Sequence, residues 1–318
     1  MENFTDYLKN QGIIACDSSM VRLYSDALSI APTDANILIV GDSGTGKDCL
    51  AKFIHCHSPR ADAPFVHVNC SAVPGELFES EFFGYEDGAF TGSSQGGRRG
   101  LVAEAAGGTL FLDEIGELDP GLQTKLLQVV QEHSVRSLGS TENTAVNIRI
   151  IAATNRDLPR MIKLGTFRLD LYYRLNVVCF DIPPLSQRRK DICGLIQYLS
   201  CHFGQMYGCE KTFTARAMDF LLDQEWLGNV REIQNFMEKL YVLEDAPVIT
   251  EDLLRENYHF STCSSGSLSA LQFKPLKTAA DEFEKQYIRE VLEHSHDLDE
   301  AAMILEVDRN WLNHKLKE

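Results

Sequence analysis

No stretch of the 318 residues approaches the length of an apolar membrane span, and the opening MENFTDYLKNQG has neither the basic nor the apolar region of a secretory leader. We therefore expect a cytoplasmic protein without a membrane partner. The nine cysteines are odd in number and include no C-x-x-C pair, which argues against a disulfide framework or a zinc knuckle. His55-Cys56-His57 accordingly reads as structural. Positive charge is scarce: 30 Lys and Arg face 46 Asp and Glu, a formal net charge of -16. That balance opposes non-specific binding to polyanions, so any nucleic-acid contact must be local or gained by oligomerisation. No internal repeat is visible.

What is present suffices for two or three domains, since 44% of the residues are hydrophobic and can bury a sizeable core. After a short polar tail, residues 1–12, the chain from 13 to 184 alternates strand-like apolar runs with helical patterns, as in a parallel sheet covered by helices. The strand candidates are ANILIV, PFVHVN, GTLFLD, IRIIAATN and VVCFDI. From 185 to 256 the pattern turns helical, with Leu221, Leu222, Trp226, Ile233, Phe236, Leu240 and Leu243 recurring at spacings that helices bury. A Ser-rich linker is expected over 257–275, followed by a small helical module over 276–318.

ANILIV runs into Gly41-Asp42-Ser43-Gly44-Thr45-Gly46-Lys47 and then an apparent helix, the context a P-loop requires. Glycines let backbone N–H groups approach phosphate, the helix start adds its positive dipole end, and Lys47 supplies charge for the terminal phosphates of ATP. Asp48 stands where Ser or Thr usually reaches Mg²⁺. GTLFLD ends in Asp113 and Glu114, a pair suited to holding Mg²⁺ through Asp113 and orienting an attacking water through Glu114. Two acids at a strand end also fit a solvated terminus or a helix cap, a reading the upstream P-loop disfavours. Asn155, closing IRIIAATN, suits an amide facing the terminal phosphate, although Asn at a strand end is commonly just a turn.

Arg168 and Arg174 lie six residues apart in FRLDLYYR, and Arg231 lies in WLGNVRE. Arginines can stabilise the charge of phosphoryl transfer, often from a neighbouring subunit. A surface ion pair of Arg168 with Asp170 or Asp191 is the plainer alternative. Phe90 is an apolar side chain within GYEDGAFTGSSQGG, and either its own loop or a partner can bury it.

Together and in this order, APTDANILIVGDSGTGKD, FVHVNCSAVPGELFESEFFGYEDGAFTGS, GGTLFLDEI, IRIIAATNRDL, FRLDLYYRLNVV, IPPL and WLGNVREI resemble the central AAA+ domain of bacterial sigma-54-dependent transcription activators. The resemblance covers nearly the whole chain. It implies an α/β AAA+ P-loop domain with a helical lid, a homo-oligomeric ring expected to be a hexamer, and ATP hydrolysis that remodels sigma-54 RNA polymerase. The family also carries an acid after the P-loop lysine, usually Glu, so Asp48 is a shortened form of a family feature. Gly88, Ala89, Phe90, Thr91, Gly92 and Ser93 match the loop that touches sigma-54, with Ser93 where Ala is usual. Asn69 matches the switch asparagine that couples the catalytic glutamate to that loop. Arg168 and Arg174 match the arginines acting in trans, Arg231 the second sensor, and Ile14 a residue near adenine that is equally compatible with plain core. Leu227 replaces the usual proline before Gly228, and Ser186-Gln187 the usual Arg-Glu after PPL.

The final segment resembles the family's Fis-like helix-turn-helix, with Ala301, Ala302, Leu305, Val307, Leu312 and Leu316 as its apolar seam. Arg309, Asn310, His314 and Lys315 are then the candidates for contact with upstream promoter DNA. Glu306 stands where the turn usually has Gly, and the module is acidic, so a dimerisation unit that no longer reads DNA is the alternative there. No receiver domain is recognised before the AAA+ core, which leaves regulation to a separate protein or to a segment outside this sequence. Two other functions remain for comparison: a DNA-binding AAA+ regulator that does not engage sigma-54, and a metabolic P-loop enzyme, for which no acceptor site is found.

Overall fold

The computed structural model describes residues 2–71, 75–87 and 97–263, together with single positions between 288 and 307. The chain divides into two units, Met1–His259 and Phe260–Glu318.

The stretch read as a polar tail is instead helical: α1 (Glu2–Asn10) presents Leu8, which has no exposed surface, to the core beneath α2 (Ser18–Ile30). Phe4, Tyr7 and Leu8 stand at helical spacing but span little more than one turn of an otherwise polar stretch, too short a period to announce a helix, and Leu8 and Phe4 pack on the core. Leu8→Ala is expected to cost about 2–5 kcal/mol of stability, read as a lower urea midpoint at unchanged slope. Asp17 caps α2, its carboxylate accepting from Ser19 N at 3.0 Å.

Next come β1 (Ile37–Val40), α3 (Lys47–Cys56), β2 (Phe65–Asn69) and α4 (Gly75–Phe83). A two-stranded antiparallel base, β3 (Gly84–Tyr85) with β4 (Arg98–Arg99), is followed by α5 (Leu101–Glu104) and β5 (Thr109–Asp113). Then follow α6 (Pro120–Glu132), the short antiparallel pair β6 (Ser134–Val135) and β7 (Thr144–Ala145), and β8 (Arg149–Thr154). Helices α7 (Leu158–Lys163) and α8 (Leu169–Leu175) lead to β9 (Val178–Asp181). Five strands form one parallel sheet in the order β2-β5-β8-β1-β9. Its central strands are apolar throughout because both faces are covered: Ile37 and Ile39 face the α1–α3 layer, whereas Leu38 and Leu112 face the layer of α4 to α8.

The lid comprises α9 (Arg189–Tyr207), α10 (Ala215–Asp223), α11 (Asn229–Leu243) and α12 (Glu251–Cys263) around Trp226, Phe236 and Leu240. It is not purely helical. Residues β10 (Thr212–Phe213) and β11 (Val248–Ile249) pair in parallel, too short a pattern to stand out in sequence. Helix α12 also continues through residues 257–263, where the Ser-rich linker was expected to begin. In the second unit Ile288 and Ala302 are buried, and Val307 N donates to Ala302 O at 3.0 Å. The cysteines from Cys16 to Cys209 are all free, and His55 serves the core, its Nδ1 2.9 Å from Thr109 Oγ1.

Candidate functional site

The sheet order brings the sequence candidates together. β1, β8, β5 and β2 are consecutive neighbours, and their C-terminal ends deliver Gly41, Asn155, Asp113 with Glu114, and Asn69 to one edge. Asn69 lies directly opposite Asp113 in the register. That edge is where open α/β sheets bind ligands.

Residues Gly41 to Gly46 form the turn from β1 into α3, with Gly44 and Gly46 at positive φ of 75° and 101°. A side chain at Gly44 is excluded for a second reason: its Cβ would lie 2.3 Å from Gly228 O of the lid. Lys47 is nearly buried and folds back on the loop, Nζ donating to Gly41 O at 2.7 Å and Asp42 O at 2.9 Å. Burial lowers its pKa, opposed by the carboxylates of Asp113, Asp42 and Glu114, so these acids face the lysine. Asp48 is exposed in the first turn of α3, where the helix dipole favours an acid.

At the acidic end, Asp113 Oδ1 accepts from Glu114 N at 2.9 Å, and Oδ2 lies 3.8 Å from His67 Nε2. Glu114 adopts φ 54°, a left-handed conformation uncommon for a non-glycine residue. Its Oε2 accepts a short hydrogen bond from Ser71 Oγ. Ser71 N and Oγ also both lie 2.8 Å from Asn69 Oδ1. Asn69 and Glu114 are thus linked through Ser71, which the sequence reading missed. The available signal was the N-x-S spacing, which favours an Asx turn. Burial, reinforced by the Asp113 and Glu114 carboxylates, pushes the Cys70 thiol up to about 12.

The lid closes the other side of the P-loop. Asn229 Nδ2 donates to Ser43 O at 3.0 Å, Val230 N to Gly44 O at 3.0 Å, and Arg188 Nη2 to Thr45 O at 2.8 Å. Arg231 Nη1 lies 3.1 Å from Ser43 Oγ, which brings this candidate to the site. Ile14 packs against the lid core, so its contact with plain core is what the structure displays. Arg168 forms the ion pair weighed from sequence, Nη2 to Asp170 Oδ2 at 2.7 Å and Nε to Oδ1 at 3.0 Å, and lowers the Asp170 pKa. Arg174 is exposed at the end of α8. Among the described residues no hydrogen bond or ion pair joins either arginine to the P-loop. Gly88 to Ser93 lie outside the described residues, as do Arg309, Asn310, His314 and Lys315.

A P-loop at the end of β1, strand-end acids two strands away and a helical lid seated on the loop define an AAA+ ATPase. Comparison with known proteins specifies the family. Residues 13–181 match the sigma-54 interaction domain and residues 186–270 the AAA+ ATPase lid domain. An uncharacterised protein in the HyuA 5′ region of a Pseudomonas species is 43% identical over 92% of this chain and 99% of its own length. The regulatory protein AtoC of Escherichia coli is 41% identical over 96% of this chain and 67% of its own. The Nif-specific regulatory protein of Azotobacter vinelandii is 44% identical over 76% of this chain, which spans less than half (46%) of that protein. The crystal structure of NtrX from Brucella abortus in complex with ADP superposes with a TM-score of 0.74 at 32% identity, covering 99% of this chain and 71% of NtrX. A second NtrX structure, in complex with ATP, gives a TM-score of 0.73 and covers 96% of this chain and 68% of NtrX. The chain belongs to the sigma-54 interaction domain family of AAA+ ATPases, among the sigma-54-dependent transcriptional regulators.

Proposed function

We propose that this ATPase works as a ring, expected to be a hexamer, bound to upstream promoter DNA. It uses ATP hydrolysis to remodel the closed complex of the sigma-54 RNA polymerase holoenzyme into an open one in the cytoplasm. The observation that carries this reading is the convergence of Lys47, Asp113, Glu114, Asn155 and Asn69 on one sheet edge. Gly41 to Gly46 would bind the phosphates through backbone N–H groups, with Asp48 and Arg231 beside them and Ile14 toward the adenine. Lys47 would meet the terminal phosphates. Glu114 would orient the attacking water and accept its proton, and Asn155 would hold that water or the γ-phosphate by its amide.

Asp113 is the residue that fits Mg²⁺, which would neutralise charge on the phosphates. One Asp113 oxygen is occupied by Glu114 N, while the other lies 3.8 Å from His67 Nε2 and accepts no hydrogen bond among the described residues. Mg²⁺ takes one or two protein carboxylates and fills its shell with phosphate and water. That suits a site where, among the described residues, no three His, Cys, Asp or Glu side chains gather.

Ring formation is supported by Leu169, Tyr173 and Val177, which are 51%, 67% and 60% exposed around Arg168 and Arg174. Those arginines would then serve a neighbour's nucleotide. Gly88 to Ser93, with Phe90 and Thr91 foremost, would contact sigma-54. They belong to the segment connecting β3 and β4, whose base is tied to Leu138: Leu138 N donates to Gly84 O at 2.8 Å and Glu86 N to Leu138 O at 2.9 Å. Arg309, Asn310, His314 and Lys315 would contact DNA, and the activating signal would come from a separate protein or from a segment outside this sequence.

The test is to mix the purified protein with sigma-54, Mg²⁺ and ADP plus aluminium fluoride, and to resolve complexes on a native gel. A trapped complex that Thr91→Ala abolishes is expected. Absence of a complex from a protein that still assembles and hydrolyses ATP would reject sigma-54 as the partner.

A further inference from the structure

Three successive P-loop carbonyls, those of Ser43, Gly44 and Thr45, each accept a hydrogen bond from the lid. The C=O and N–H of a trans peptide point in opposite directions. Carbonyls turned to the lid therefore turn the N–H groups of Gly44, Thr45 and Gly46 away from it. Those N–H groups are the donors of a phosphate-binding nest. Internal competition for them is weak: Thr45 N makes only a 3.4 Å contact with Asp42 O.

Asn229 holds the centre of this arrangement. It is 2% exposed and adopts φ 56°. Its Oδ1 accepts from Leu185 N at 2.7 Å, at the start of the lid, while Nδ2 donates to Ser43 O at 3.0 Å. The partners fix the amide's orientation, since Leu185 N can only donate and Ser43 O can only accept. No other side chain of this size offers both functions, and Asn tolerates the left-handed backbone better than most residues.

Arg188 repeats the motif two carbonyls later, at Thr45 O. Its buried guanidinium faces Asp191, whose Oδ1 accepts from Cys16 N and Asp17 N at 2.6 and 2.7 Å. The P-loop, the lid and the segment before α2 are thereby tied together.

We propose that Asn229 is a positioning residue that presets the phosphate-binding N–H groups from the lid side, making lid docking a determinant of affinity for a nucleoside triphosphate. The inference rests on reading the P-loop as an ATP site. Its mechanism is electrostatic preorganisation: donors already aimed need not be ordered when the anion arrives.

Two variants separate this role from bulk stability. Asn229→Asp keeps the acceptor for Leu185 N and puts an oxygen against Ser43 O. Asn229→Gly accepts the positive φ and removes both bonds together with the 3.3 Å bond from Nδ2 to Leu227 O. Binding of a non-hydrolysable ATP analogue with Mg²⁺ is measured by calorimetry, alongside the thermal midpoint and steady-state hydrolysis. Both variants are expected to bind the analogue at least about ten-fold more weakly, equivalent to about 1.4 kcal/mol. KM should rise in step while kcat stays within about three-fold, because Lys47, Asp113 and Glu114 are untouched. If the Asp variant does not fold, the Gly variant decides. A lower midpoint with unchanged nucleotide affinity, the signature of a merely structural asparagine, overturns the proposal. A wild-type chain that binds no analogue overturns the ATP reading beneath it, an outcome distinct from equal binding by wild type and variants.

Discussion

Glu114→Gln is expected to reduce kcat for ATP hydrolysis by roughly 10²–10⁴, the usual contribution of a positioned general base, while leaving nucleotide affinity within a few-fold of wild type. The amide has the shape of the carboxylate and still offers an oxygen to Ser71 Oγ, so the local hydrogen bonding survives. What it loses is the ability to accept a proton from the attacking water. Binding should persist because the loop and Lys47 are unchanged, and Lys47 donates its hydrogen bonds to Gly41 O and Asp42 O rather than to Glu114. Single-turnover hydrolysis together with calorimetry separates the two quantities. Loss of binding in parallel with turnover would mean that Glu114 supports the fold of the loop. Unchanged turnover would remove it from the reaction and leave the left-handed backbone at this residue without a chemical reason.

The sheet and the phosphate loop were legible because both are written in side-chain type. Buried parallel strands need unbroken apolar runs, and ILIV, TLFLD and RIIAAT supply them. Positive φ at Gly44 and Gly46 needs glycine. Asp113, Glu114 and Asn155 were legible as strand ends and Asn69 through the family resemblance, and the parallel order then gathered them. The lid clamp was illegible for the complementary reason: its acceptors are main-chain carbonyls of Ser43, Gly44 and Thr45, which every sequence has. Ser71 escaped notice because a serine two residues beyond an asparagine ordinarily closes a local turn. It does so here, and only the neighbouring strand shows that the same hydroxyl also reaches Glu114. Helix α1 was missed because its apolar set, Phe4, Tyr7 and Leu8, spans little more than one turn of an otherwise polar stretch.

Arg168→Ala and Arg174→Ala are each expected to lower hydrolysis in the assembled protein by about 10³–10⁵, the range for an arginine that stabilises phosphoryl-transfer charge from outside the site. Nucleotide binding by a single subunit should change little, since neither side chain bonds to its own P-loop among the described residues. In one subunit Arg168 rests on Asp170, both half exposed, and such solvent-facing pairs exchange partners readily. A neighbour's triphosphate offers this guanidinium a second, more highly charged acceptor of bidentate geometry. The decisive form of the experiment is a mixture. Glu114→Gln subunits lack the base and keep the arginines, whereas Arg168→Ala subunits keep the base and lack one arginine. Each alone is expected to be nearly inactive. In a randomly mixed ring of head-to-tail interfaces, roughly a quarter join an intact glutamate to an intact arginine, and activity should recover in that proportion. Recovery on mixing requires that base and arginine come from different subunits. Persistent inactivity in mixed rings verified by mass would return Arg168 to the surface ion pair it makes with Asp170, and the search for the trans group would move to Arg174 alone.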